Sequence, residues 1–161
     1  MAESDVFIDS AQDDSASVPL RALLQDDQDA RAALCTELEQ LADALPALPT
    51  PARVRRLCNQ IDIVTSIHFR RADAILAEAA AGFDVPPASG ALEQLAEMHA
   101  MDTMHGEDLI SVLWDSVARG TVARPGEFGY MLRCFFDGCR RAVALENMVL
   151  TLIEREALHQ G

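Results

Sequence analysis

The stretch PGEFGYMLRCFFDGCRRAVALENMVLTLI, residues 125–153, places Phe128, Leu132, Phe135, Cys139, Ala142, Glu146, Val149 and Ile153 at alternating steps of three and four. That spacing lays a single stripe along one side of an α-helix, apolar except at Glu146. Three earlier stretches keep the same rhythm. The first carries Leu20, Leu24, Asp27, Arg31, Leu34, Leu38, Leu41 and Leu45, and the second Val54, Leu57, Ile61, Val64, His68, Ala72, Ile75 and Ala79. The third carries Leu92, Leu95, His99, Asp102 or Thr103, Gly106, Ile110, Leu113 and Val117. Each stripe is broken near its middle by a polar residue: Asp27, His68, His99 and Glu146.

Helix punctuation falls between the stripes. Pro19 suits a first turn, with Ser17 available as its cap. Pro46, Pro49 and Pro51 form a stiff connector, and Thr50 before Pro51 starts the second helix. Gly82 and Val85-Pro86-Pro87 make the next turn, Ser89 is placed to cap the third helix, and Gly120 closes it. Pro125 opens the fourth. No internal repeat and no strand alternation is present. Four helices of about seven turns with short connectors predict an all-α fold, an up-down-up-down antiparallel four-helix bundle over residues 18–161. Residues 1–17, rich in Asp, Ser and Ala, are expected to form an acidic flexible tail.

Composition narrows the classes of function. At 161 residues the chain suits one domain with a real core. All thirteen basic residues are Arg, and the net charge is −13, so phosphate backbones and anionic lipid surfaces are repelled. Neither nucleic acid nor a membrane is an expected partner. No apolar run approaches the roughly 20 residues that span a bilayer, and the acidic N-terminus lacks the pattern of a secretory signal, so a soluble cytoplasmic protein is expected. Cys35, Cys58, Cys134 and Cys139 form no CxxC pair. They are read as small apolar packing residues, with a thiol sensor as the alternative.

A helical ruler tests whether the four interruptions could meet. At 1.5 Å per residue, Asp27 lies roughly 27 Å before the end of the first helix and His68 roughly 26 Å after the start of the second, so the two are level. His99 and Glu146 fall near the same depth across the later turns. Aspartate, histidine and glutamate are the groups with which a helix bundle holds a metal, so Asp27, His68, His99 and Glu146 are the candidate ligands. The positions that would complete such a site hold Ala72, Thr103, Ala142 and Asn147, poor or impossible ligands.

The run Cys139-Arg140-Arg141-Ala142-Val143-Ala144-Leu145-Glu146-Asn147-Met148-Val149-Leu150 resembles the last helix of bacterial hemerythrin-like (HHE cation-binding) domains. His68-Phe69 followed by Ile75-Leu76 looks like that family's second-helix motif, and Glu97-Met98-His99 its third-helix signature. Asp27 falls where the first helix usually supplies a histidine. The resemblance covers roughly residues 18–158 and implies a di-iron, dioxygen-binding bundle, but the implied ligand set is depleted. His68 and His99 match histidine ligands, while Ala72 replaces a bridging glutamate, with Asp73 beside it. Thr103 stands where a second third-helix histidine can occur. Ala142 replaces the fourth-helix histidine and Asn147 its carboxylate, leaving Glu146 as the nearest acid.

Plain packing accounts exist for each residue. His68 and His99 could be neutral core histidines with one hydrogen bond each, Asp27 could pair with Arg31, and Glu146 with Arg141 or a histidine across the bundle. Met98, Met101 and Met104 are expected to pack, and Arg53, Arg55 and Arg56 to form a solvated face. No phosphate loop or nucleophile elbow is present, so no enzyme is expected. The leading expectation is a hemerythrin-like bundle that has lost its di-iron site and serves, without a cofactor, as a binding or regulatory module for a protein partner or a second copy of itself. Two alternatives stand beside it. One is a reduced iron or zinc site on His68, His99, Asp27 and Glu146; the other is a thiol or small-ligand sensor using space left by Ala72 and Ala142.

Overall fold

A computed structural model describes residues 18–161, and the expected tail (1–17), Ser17 included, lies outside the described residues. Those residues form helices and connectors, with no strand among them. The helices are α1 (Leu20–Ala44), α2 (Pro51–Ile63), α3 (Phe69–Ala81), α4 (Ser89–Arg119) and α5 (Pro125–Gln160). A five-residue π turn (Val64–His68) joins α2 to α3 without a break, so the described residues make four helical rods. No helix among the described residues is long and apolar enough to cross a membrane.

Local chemistry explains two of the boundaries directly. Thr50 Oγ1 accepts from the Arg53 N–H at 3.3 Å and Pro51 takes the first turn, where its missing N–H costs nothing. Gly120 ends α4 with a left-handed φ of 69°, a conformation open to glycine. The start of α4 departs from expectation. Ser89 is its first helical residue rather than its cap; Ala88 precedes it at φ 58°, with no side-chain cap.

The stripe of α5 is buried at every position from Phe128 to Ile153, and that of α1 from Leu24 to Leu41. The second stripe holds as far as Val64 and again at Ala72. Elsewhere beyond Val64 the buried residues are Thr65, Phe69, Leu76 and Ala80, not His68, Ile75 and Ala79. The π turn is the reason. It inserts one extra residue, the Phe69 N–H bonding five residues back to the Val64 carbonyl, and so advances the inward face by one position. Thr65 Oγ1 bonds the Ile61 carbonyl at 3.0 Å and Ser66 Oγ that of Asp62 at 2.6 Å, giving the carbonyls around the distortion donors. Glycine at 106 lets α4 approach closely, since a Cβ there would lie 2.9 Å from the Thr65 methyl.

Two apolar clusters result. One holds Leu38, Leu57, Ile61, Phe69, Leu113 and Phe135; the other Leu24, Leu76, Leu95, Leu150 and the fully buried Ala72 and Ala142. Buried polar side chains accompany them: Asp27, Gln28, Arg31, Thr65, His99, Asp102, Ser116 and Glu146. Met101 and Met104, expected to pack, are instead exposed. Ion pairs tie the rods together at the surface. Arg21 at the start of α1 meets Glu154 near the end of α5 at 2.9 Å, and Asp43 at the end of α1 meets Arg133 near the start of α5 at 3.5 Å.

Candidate functional site: a buried guanidinium–carboxylate–imidazole layer

Arg31, from α1, and Glu146, from α5, are both completely removed from solvent at their side chains. The guanidinium grips the carboxylate with two parallel bonds, Nη1 to Oε1 and Nη2 to Oε2, each 2.6 Å. Gln28 sits one turn before Arg31 on the same face and donates Nε2 to Glu146 Oε2 at 2.9 Å. From α4, His99 brings Nε2 to 3.2 Å from Glu146 Oε1, though not aligned to donate, while its Nδ1 lies 2.8 Å from Asp73 Oδ1. The Phe69 ring lies flat on the His99 ring, 4.3 Å between centroids and 7° from parallel, and the Arg31 guanidinium carbon is 5.7 Å from that phenyl centroid. The π turn thus decides the layer's composition, because it brings Phe69 inward in place of His68.

His68 takes the flank. Its Nε2 is 3.5 Å from Asp27 Oδ1, and Arg71 Nε is 2.9 Å from Asp27 Oδ2. Arg31, expected as the partner of Asp27, turns to Glu146 instead. A third buried acid, Asp102, faces Gly138 so closely that a Cβ there would stand 2.5 Å from Oδ1; His105 Nδ1 is 3.8 Å away. Thr103 bonds the His99 carbonyl at 2.8 Å, and Asn147 receives a long 3.4 Å bond from Gln28.

Protonation follows from these contacts. Burial would raise the Glu146 pKa, but the His99 ring, the Arg31 bonds and charge, and Gln28 outweigh it and hold the value at about 2. His99 loses some basicity to burial and regains more from Asp73 and Glu146, so its pKa lies above the ordinary 6.5. His68 goes the other way: burial, with Arg31 and Arg71 nearby, outweighs Asp27 and lowers it. Burial raises Asp102 against the pull of His105, His99 and Arg141.

The four sequence-derived candidates come together as two pairs, Asp27 with His68 and His99 with Glu146. Among the described residues no group of three or more His, Cys, Asp or Glu side chains is placed to hold a metal ion. A di-iron pair does not fit the side chains present. Ala72 and Ala142 offer no donor atom, both Glu146 oxygens already accept from Arg31, and a metal cation beside that guanidinium would meet like charge. Sequence reasoning missed Gln28 and Phe69 and gave Arg31 the wrong partner. The available signal was Arg31 itself, a charge inside an apolar stripe. No model of a known protein family matches the chain, nor does any curated protein or solved structure.

Proposed function

We propose that the chain is a divergent hemerythrin-like domain, an antiparallel up-down-up-down four-helix bundle in which an internal arginine has taken the place of the metal pair. It serves as a non-enzymatic binding or regulatory module. One observation carries the reading: Arg31, fully buried, neutralises Glu146 through two 2.6 Å bonds. Those groups belong to the stripes where the family resemblance places metal ligands. The cross-pairing of Arg21 with Glu154 and of Asp43 with Arg133 supports opposite directions for α1 and α5. A fixed guanidinium supplies positive charge but no open coordination position, so the layer can hold helices in register and cannot take up dioxygen.

The rival reading is a single iron or zinc held by Asp27, His68, His99 and Glu146, and metal titration separates the two. The natural chain should take up neither iron nor zinc stoichiometrically, whereas Ala72→Glu, Ala142→His and Arg31→Ala combined should gain iron binding. Stoichiometric uptake by the natural chain, weakened by His68→Ala or Glu146→Gln, would overturn the proposal in favour of its rival.

A further inference from the structure

A second feature stands independently of the bundle's family. Cys35 on α1 and Cys139 on α5 are buried against each other across the helix interface, both as free thiols. They line an open-sided cavity of about 130 Å³ together with Gln28, Arg31 and Arg140. A water molecule takes roughly 30 Å³ of liquid volume, so a small polar molecule fits. Arg31 Nε, although buried, has no hydrogen-bond partner among the described residues, leaving a cationic donor unspent on a residue that walls this cavity. The Cys35 thiol spends its own proton weakly, on the Phe136 carbonyl at 3.6 Å.

We propose that Cys35 and Cys139 form a peroxide-reactive dithiol, in which Cys35 is attacked first and Cys139 resolves it to a disulfide between α1 and α5. The two sulfurs are unequal in the required sense. The neighbouring Cys139 thiol and the Arg140 and Arg31 charges favour the Cys35 thiolate, so the Cys35 pKa is lowered despite burial. The neighbouring Cys35 thiolate, burial and Asp102 push Cys139 far up, so it stays a thiol for as long as Cys35 carries the charge. In the first step the Cys35 thiolate attacks a hydroperoxide oxygen. The S–O bond forms, the O–O bond breaks, and the other oxygen leaves as hydroxide or alkoxide and takes a proton from water. Sulfur is oxidised by two electrons and the peroxide reduced. In the second step Cys139 sulfur attacks the sulfenic sulfur, the S–S bond forms, and the S–O oxygen leaves as water with the Cys139 proton. A bond there would pin α1 to α5 beside the Arg31–Glu146 layer, which gives a regulatory module an oxidant-driven change of state.

The test is treatment of the intact reduced chain with hydrogen peroxide, alkylation of remaining thiols, and peptide mapping without reduction. A Cys35–Cys139 link should form while Cys58 stays alkylatable. In Cys139→Ser, Cys35 should stop as a sulfenic acid that dimedone labels. Arg140→Ala should slow Cys35 oxidation several-fold and leave the half-buried Cys134 unaffected. Should the serine variant not fold, the map of the natural chain decides alone. Cys35 and Cys139 both remaining alkylatable after Cys134 has been oxidised would overturn the proposal.

Discussion

A fully buried guanidinium keeps its charge, because arginine does not deprotonate in proteins, so the cost of desolvating Arg31 has to be met inside the fold. Glu146 meets it with two short bonds and the Phe69 face adds to them, but neither ion is then free to lose its partner. Arg31→Met should cost about 3–5 kcal/mol in urea unfolding, since it strands a buried carboxylate. Joined with Glu146→Leu it should cost less than Arg31→Met alone, and purely additive losses would contradict the pairing. The pH dependence has a definite sign. A carboxylate whose folded pKa is about 2, against 4.5 when unpaired, contributes stability that is complete above pH 4.5 and lost as pH falls toward 2. The two histidines oppose one another. Raised His99 stabilises the fold below 6.5, and that contribution disappears as pH rises through its folded value. Lowered His68 contributes above 6.5 and loses its contribution as pH falls through its own folded value. Ring-proton NMR should place the His68 midpoint below 6.5 and that of His99 above it; the reverse order would refute the assigned contacts.

Among the helices, close approach depends on two glycines with little space around them. A Cβ at Gly106 would press on Thr65 and Ile61, and one at Gly138 on the Asp102 carboxylate. Alanine at either site should therefore cost about 1–3 kcal/mol by overpacking, more than the ~1 kcal/mol it gains in helix propensity. Gly126, with nothing within 4 Å, is the control, and thermal melts in which Gly126→Ala is as damaging as Gly138→Ala would defeat the packing account. The same elements mark where sequence stopped being sufficient. The α5 stripe was legible throughout because no defect interrupts its 3.6-residue period. The rod from α2 to α3 was legible to Val64 and, past it, only at Ala72, since periodicity assumes a uniform helix and the π turn adds a residue. Phe69 was hidden for that reason alone. Arg31 was visible inside an apolar stripe, but its partner was not. A local Asp27 one turn away competes on sequence terms with a Glu146 that only tertiary packing brings near.

For the whole molecule, the polar layer and the net charge of −13 set different constraints. The surplus of acids repels anionic surfaces at long range. The layer instead concerns how one core is divided, with polar side chains buried alongside two apolar clusters. If a built-in cation neutralises that layer, the stability of the fold owes nothing to a metal. If an ion does so, stability must follow its concentration, because a ligand bound only by the native state stabilises by mass action. The decisive measurement is the thermal melt of the purified chain with and without a strong chelator. The account predicts one melting temperature under both conditions. A temperature that falls by several degrees with chelator, and recovers on adding one equivalent of iron or zinc, would contradict it.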